Sequence, residues 1–244
     1  MKIGILALTA VLMAGAGCAT VGGDKSARLN AELGREYLFR GDLPQAKAKI
    51  DRALEKAPDD AYVLSSYGLL LDQTDSVSEA VGYHKRAVEA EPQNIEYRNA
   101  YGASLCTLGK YDAAIAQFIA AAENKVNTKP EISLDNAALC ALRGGQYAAA
   151  AGYAERALDL RPEFPLAQIH LAEARARTGN VDEAIDLIND YHRNDRAISP
   201  DSLYLAVGVS LAAGDNVAAE TYKNLLLDRF PDSKPAKFIM RNDG

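Results

Sequence analysis

Residues 95–121 read IEYRNAYGASLCTLGKYDAAIAQFIAA, and this stretch decides the fold. It places two small residues, Gly102 and Ala114, and the large Phe118 on two helical runs. Gly109 lies between the runs and interrupts them. Because only Gly or Ala lets two helix backbones approach closely, the small residues mark the crossing and large side chains fill the space beside it. The stretch therefore predicts two antiparallel helices joined by a tight turn.

The same pattern recurs on both sides of this stretch. Its units start at residues 27, 61, 95, 131, 165 and 200, so the spacings are 34, 34, 36, 34 and 35 residues. A helix–turn–helix unit of this length is the tetratricopeptide repeat (TPR). The sequence therefore predicts an all-α protein, a right-handed TPR superhelix of about twelve antiparallel helices. The six repeats are residues 27–60, 61–94, 95–130, 131–164, 165–199 and 200–233, and residues 234–244 form a short C-terminal tail.

The amino terminus has the features of a secretory signal. Lys2 precedes an apolar run over residues 3–14, and small residues lead from this run to Cys18. An apolar run of this length is too short to cross a bilayer as a helix, which needs about 20 residues. We expect residues 1–17 to be a signal peptide. Residues 18–26 are small and polar, which predicts a flexible tether.

The segment GAGC at residues 15–18 resembles the lipobox of bacterial lipoproteins, although Gly15 stands where Leu is usual. The resemblance implies cleavage before Cys18 and acylation of this cysteine, which anchors the chain in a membrane. Ala19 follows the cysteine, where Asp commonly retains such lipoproteins at the inner membrane, so the resemblance implies the periplasmic face of the outer membrane. The alternative is ordinary signal-peptide cleavage near Gly17, with Cys18 lost or left free.

The composition limits the class of function. The formal net charge is −6 at pH 7, and 48% of the residues are hydrophobic. An acidic surface argues against nucleic acid as a partner. His84, His170 and His192 have no nucleophile or paired carboxylates at a catalytic spacing. We therefore predict a protein that is not an enzyme and that needs no cofactor and no metal.

Cys106 and Cys140 remain as a pair if Cys18 carries lipid. Each lies late in the first, or A, helix of its repeat, and adjacent A helices run side by side about 8–10 Å apart. A disulfide between them fits this separation and the oxidising compartment that a signal peptide implies. The alternative is two buried free thiols, which behave as small apolar residues.

The A helices of a TPR solenoid line its concave face, and positions 2, 5, 9, 12 and 13 of each unit point into it. In the first two repeats these positions predict an apolar floor with a basic edge. The predicted partner-binding groove contains Arg28, Arg35, Leu38, Phe39, Tyr62, Leu69 and Asn99. Asp135 and Arg143 continue it as a more polar stretch in the middle repeats. The alternative is that Leu38 and Phe39 pack against the next repeat.

Four segments of the chain carry a pattern more specific than the repeat spacing. They are GAGC at 15–18, YLFRGDLPQAKAKIDRAL at 37–54, NAYGASLCTLGKYDAAIAQF at 99–118 and LDNAALCALRGGQYAAAAGYAERAL at 134–158. Together they resemble the type IV pilus biogenesis and stability lipoproteins, the PilF/PilW family of pilotins. The two cysteine-bearing segments resemble that family's N-x-Y-G-x-x-L-C and N-x-G-x-C patterns, with Ala138 where Gly is usual.

This resemblance implies a function without catalysis. A lipoprotein of that family binds the type IV pilus secretin and promotes its localisation or multimerisation in the outer membrane, and hence pilus biogenesis and stability. We expect a monomer whose partners are the secretin and, through the lipid, the membrane. A TPR scaffold lipoprotein of tight-adherence (Flp) pilus assembly, or of cell-wall assembly, would share the solenoid and the anchor and stays open as the alternative.

Overall fold

The computed structural model describes residues 21–193 and 198–242. The predicted signal peptide at residues 1–17 and the predicted lipidation at Cys18 lie outside these residues. Within the two described ranges the regular structure consists of helices, and no strand is present. No helix in this part of the chain combines the length and the apolar character that a bilayer crossing requires.

The helices follow one another in pairs. Their bounds are α1 Val21–Phe39, α2 Leu43–Lys56, α3 Ala61–Gln73, α4 Val77–Ala90, α5 Ile95–Thr107, α6 Tyr111–Ala122, α7 Pro130–Arg143, α8 Tyr147–Leu160, α9 Pro165–Arg177, α10 Val181–His192, α11 Pro200–Ala212, α12 Asn216–Arg229 and α13 Lys234–Asn242. From α1 to α12 each helix contacts the next one in sequence, and each odd-numbered A helix also contacts the next A helix, up to α11 with α13. This contact pattern is that of a stacked solenoid, so the predicted all-α TPR fold is confirmed.

Each turn from an A helix to the second, or B, helix of its repeat contains one residue in the left-handed region of backbone conformation. Five of these residues are glycines and the sixth is Asp75, with φ between 57° and 87°. They are Gly41, Asp75, Gly109, Gly145, Gly179 and Gly214, and their spacing reproduces the spacing of the repeats. Gly adopts this conformation without a steric cost and Asp tolerates it. The turn residues therefore set the register of the solenoid.

The A and B helices cross at the small residues that the sequence singles out. A Cβ atom added to Gly102 would lie 2.8 Å from Cε1 of Phe118, and one added to Gly68 would lie 2.6 Å from Cε1 of His84. Both distances are shorter than a van der Waals contact allows. The equivalent position in α7 is Ala138, which is fully buried. Each of the first three repeats therefore has a glycine on its A helix opposite a large side chain on its B helix.

The first helix begins earlier than predicted. We expected residues 18–26 to be a flexible tether, but α1 starts at Val21. α1 is held in place by residues after its first turn, since Ala27 and Ala31 are fully buried against the next helices. In addition, Lys56 Nζ donates a hydrogen bond to Ser26 Oγ at 2.7 Å. These contacts hold the first turns of α1 beside α2.

The C-terminal segment is a helix of the solenoid and not only a tail. α13 begins at Lys234, 34 residues after Pro200 begins α11, and thus repeats the spacing of the A helices. Ala236 and Ile239 are buried in a cluster with Leu203 and other apolar residues of α11 and α12. α13 therefore stacks on the last repeat as a seventh A helix and covers its apolar end.

Candidate functional site

The two inner cysteines are joined. Cys106 and Cys140 form a disulfide, with their Cα atoms 5.8 Å apart, and both side chains are buried. The bond connects the C-terminal halves of α5 and α7, which are adjacent A helices. It therefore fixes the relative position of the third and fourth repeats beside the concave face.

The predicted apolar floor in the first two repeats is only partly present. Leu38 is 6% exposed and packs in a cluster with Ile50 and Leu70, so it is a core residue and does not line a groove. Leu69 packs against the same cluster. Phe39, in contrast, is 93% exposed. The predicted floor is thus wrong for Leu38, because the end of α1 packs on α2 and α3 instead of facing the concave side.

The predicted basic edge is already engaged within the protein. Arg28 Nε donates a hydrogen bond to Asp60 Oδ2 at 2.9 Å. Arg35 forms an ion pair with Glu96, and its guanidinium carbon lies 5.0 Å from the centroid of the Tyr62 ring. Arg35 therefore crosses the concave face from the first repeat to the third. A partner that used these cations would first have to replace contacts that the protein makes itself.

Polar pairs connect neighbouring repeats in the middle of the solenoid. The carboxylate of Asp72 accepts hydrogen bonds from Ser104 Oγ at 2.8 Å and from His84 Nε2 at 2.9 Å. Asp135 Oδ1 accepts one from His170 Nδ1 at 2.7 Å. Ser104 contacts the carboxylate and not the imidazole, so this group is not arranged to activate a nucleophile. These contacts connect neighbouring repeats. The spacing of the residues along the sequence did not predict them.

The polar residues predicted for the middle repeats differ in their exposure. Asn99 is half-buried, and its Oδ1 has no hydrogen-bond partner among the described residues. Asp135 is buried in the pair with His170. Arg143 is exposed at the end of α7. Within the part of the chain that the structure describes, no three His, Cys, Asp or Glu side chains are grouped so as to bind a metal ion.

A large concave feature lies in the second half of the chain. A groove with a volume of about 1180 Å³ extends over α7 and α9 to α13, and we call it the C-terminal groove. Its lining residues from α7, α9 and α11 include Leu139, Arg143, Leu166, Ile169, Glu173, Ala176, Arg177, Asp201, Tyr204, Gly208, Leu211 and Ala212. These are positions 2, 5, 9, 12 and 13 of their repeats. The positional rule therefore holds for repeats 5 and 6, whereas in repeat 4 only Leu139 and Arg143 line the groove, and the groove does not lie in the first two repeats.

The C-terminal groove exposes apolar side chains. Leu166, Tyr204, Leu211 and Phe238 are each between 40% and 56% exposed. The rings of Tyr204 and Phe238 meet edge to face, with their centroids 5.9 Å apart. Phe238 follows Tyr204 by 34 residues and lies on α13, within the segment predicted as a C-terminal tail. Extending the positional rule beyond residue 233 would have identified it.

Charged side chains border these apolar residues. Arg143 and Arg177 occupy the same position at the ends of α7 and α9. Arg177 pairs with Glu173 at 3.5 Å, whereas Arg143 makes no ion pair with any other described residue. Lys223 on α12 pairs with Glu220 at 3.4 Å. The edge of the groove at the ends of α7 and α9 is therefore positive, in a protein whose net charge is −6.

The fold and the groove define a class of protein. A family model for the tetratricopeptide repeat matches residues 32–95 and 136–202. The chain therefore belongs to the tetratricopeptide repeat family. Its members use a concave face of stacked helices to bind other proteins.

More specific likenesses point to two pilus proteins. The chain is 25% identical over 152 residues to the type IV pilus assembly protein PilF of Pseudomonas aeruginosa, a match that covers 62% of this chain and 60% of PilF. The crystal structure of PilW, a widely conserved type IV pilus biogenesis factor, is similar with a TM-score of 0.78 and 26% identity, over 88% of this chain and 98% of PilW. A structure of Pseudomonas aeruginosa PilF, at 21% identity and a TM-score of 0.73, covers 91% of this chain and 99% of that one and shares its fold. The resemblance to the PilF/PilW family is confirmed.

Proposed function

We propose that this protein is a TPR scaffold of type IV pilus biogenesis that binds the pilus secretin and promotes its localisation or multimerisation in the outer membrane. The observation that carries the proposal is the likeness to the pilus biogenesis factor PilW, which extends over nearly the whole of both chains. The curated match to PilF supports the same process, although it spans only three-fifths of PilF.

The proposed location is the periplasmic face of the outer membrane, with the chain anchored through lipid on Cys18. The lipobox-like segment at residues 15–18 supports this location. Acyl chains on both the thiol and the new amino terminus would give a stable anchor, whereas one chain gives only reversible binding. α1 would then begin close to the membrane, since only residues 18–20 separate Val21 from the lipid.

The proposed binding site for the secretin is the C-terminal groove. Protein partners are held mainly by a few aromatic and aliphatic anchors that become fully buried in a concave surface. Leu166, Leu211 and the Tyr204–Phe238 pair supply such a surface, because all four are substantially exposed in the unbound chain. The first two repeats offer less, since Leu38 is buried and Arg35 already pairs with Glu96.

Two measurements on cells test the proposal. The first is whether the type IV pilus secretin co-purifies with this chain from detergent-solubilised membranes. The second is the amount of heat-resistant secretin multimer in the outer membrane after the gene is deleted. We expect co-purification, together with a loss of multimers that the complementing gene restores. Normal multimers in the deletion strain would contradict the proposal and favour the tight-adherence (Flp) or cell-wall alternative.

A further inference from the structure

We infer that the C-terminal groove binds an acidic, apolar peptide segment of its partner, with carboxylates held at Arg143 and Arg177 and apolar anchors on the Leu166, Leu211, Tyr204 and Phe238 surface. This inference rests on the proposed function and adds the chemistry of the bound segment. It concerns which segment of a partner the groove selects.

The size of the groove suits a peptide. Pockets for small molecules typically have volumes of about 300–1,000 Å³. The C-terminal groove has about 1180 Å³ and is lined by residues of six helices, so it exceeds that range. The described residues contain no strand whose edge could pair with an added strand. A segment seated here is therefore held by side chains in the groove and not by extension of a sheet.

The apolar anchors form a line across the A helices. Ile169, Tyr204 and Phe238 occupy position 5 on three consecutive A helices, α9, α11 and α13. Packed helices are about 8–10 Å apart, so the helices that carry this line follow one another at about that distance. The rings of Tyr204 and Phe238 approach more closely, with their centroids 5.9 Å apart. A bound segment that crosses the helices would thus meet an apolar contact at regular intervals. It needs apolar side chains along one face to match them.

The basic edge of the groove selects acidic side chains, since Lys223 and Glu220, which line the groove from α12, pair with each other at 3.4 Å. Arg143 and Arg177 lie at the same position on adjacent A helices, and so on one edge of the groove. Arg177 is exposed, and its i,i+4 pair with the half-buried Glu173 at 3.5 Å contributes little and can be exchanged for a ligand carboxylate. Arg143 has no ion pair with another described residue. Asp201, which also lines the groove, lies in the first turn of α11, where the helix dipole stabilises its charge.

The disulfide holds the basic edge in place. Cys140 lies on the same helix as Arg143 and less than one turn before it, and its partner Cys106 lies on α5. The end of α7 is thus covalently tied to the preceding repeat. A cation held on a rigid helix loses less conformational entropy when it binds a carboxylate than one on a mobile loop. The Arg143 side chain is therefore presented on a preorganised support.

The test uses the mature full-length chain in detergent and two synthetic peptides of about 14 residues. Both carry the same Leu and Phe anchors, three or four residues apart, and a fluorescent label. One has Glu at its flanking positions and the other has Lys. Fluorescence anisotropy at low salt should show that the Glu peptide binds about tenfold or more tightly than the Lys peptide. Equal binding, tighter binding of the Lys peptide, or no binding of either overturns the inference.

Two charge-reversal variants test whether Arg143 causes the preference for the Glu peptide. Arg143→Glu should remove most of the preference for the Glu peptide. Arg52→Glu makes the same change of charge on an exposed residue of α2, outside the groove, and should leave the preference as it is. Equal effects of the two variants would overturn the assignment, because only the net charge would then matter. Co-purification of the secretin without a preference for the Glu peptide leaves the proposed function standing and removes this inference.

Discussion

Gly102 lies where α5 crosses α6, and a Cβ atom there would be 2.8 Å from Phe118 Cε1. Gly102→Ala should therefore lower the free energy of unfolding by about 1–3 kcal/mol, because the added methyl overpacks the crossing. Gly152→Ala is the matched control in α8, since a Cβ there meets no atom within 4 Å. It should raise the free energy of unfolding by about 0.5–1 kcal/mol through helix propensity. Urea denaturation measures both, and a gain of stability in both variants would show that the crossing is wrongly placed.

His192 contributes a pH dependence. Its ring lies between the rings of Tyr191 and Tyr222, at centroid distances of 5.4 and 5.3 Å, and burial lowers the pKa of His192 from its ordinary value of 6.5. The unfolded chain therefore binds a proton at this residue before the folded chain does. Consequently the free energy of unfolding should fall as the pH drops through 6.5, down to the pKa of the folded state.

The measurement compares the protein with His192→Gln by urea denaturation at about pH 7.5 and about pH 5.5. The variant should lose less stability between the two pH values, because it has no imidazole to protonate in the unfolded state. A steeper or equal loss in the variant would mean that other groups account for the pH dependence.

At the scale of the helices, much of the fold could be predicted from the chain. The turn glycines and the small residues at the crossings recur with the repeat period, and both are local constraints on backbone and volume. The start of α1 at Val21 and the packing of α13 on the last repeat were not predicted. α13 has nine residues, and its burial depends on Leu203 and Leu226 of other helices, which no local pattern shows. Short terminal helices of this kind depend on tertiary contact more than on propensity.

The disulfide links two of these elements. Cys106 and Cys140 close a loop with a sequence separation of 34, so reduction should lower the free energy of unfolding by about 3–4 kcal/mol. Before reduction, neither cysteine should react with an alkylating reagent in native periplasmic extract. Mass spectrometry of the alkylated protein checks this, and quantitative labelling of both thiols would show that the bond is not formed in the cell.

At the scale of the whole molecule, the anchor gives a further prediction. Cys18→Ser should abolish acylation and leave a soluble or unprocessed form, because the proposed lipid is attached to that thiol. Metabolic labelling with a fatty acid, followed by separation of membrane and soluble fractions, measures both effects. A serine variant that still incorporates the label would rule out Cys18 as the site of lipidation.

The position of the candidate site could be predicted only in part. The rule that certain positions of each repeat face the concave side is local and holds for repeats 5 and 6. Which repeats remain open depends on long-range pairs, such as Arg35 with Glu96, whose residues are 61 apart in sequence. It also depends on α13, which brings Phe238 to Tyr204. These contacts exist only in the stacked solenoid. The sequence alone could not show them, and it therefore predicted the groove in the first two repeats.

We propose that the C-terminal groove holds the pilus secretin. The most direct measurement is co-purification of secretin with the double variant Leu166→Asp, Leu211→Asp, beside the matched double variant Phe39→Asp, Val217→Asp. Leu166 and Leu211 line the groove, whereas Phe39 and Val217 are exposed apolar residues that do not.

Circular dichroism first establishes that both variants keep their helical content. The account predicts that the groove variant then retains less than about a tenth of the secretin, since charges replace apolar anchors, and that the matched variant retains the normal amount. A folded groove variant with normal secretin, beside a matched variant that has lost it, would contradict the account and return the site to the first repeats.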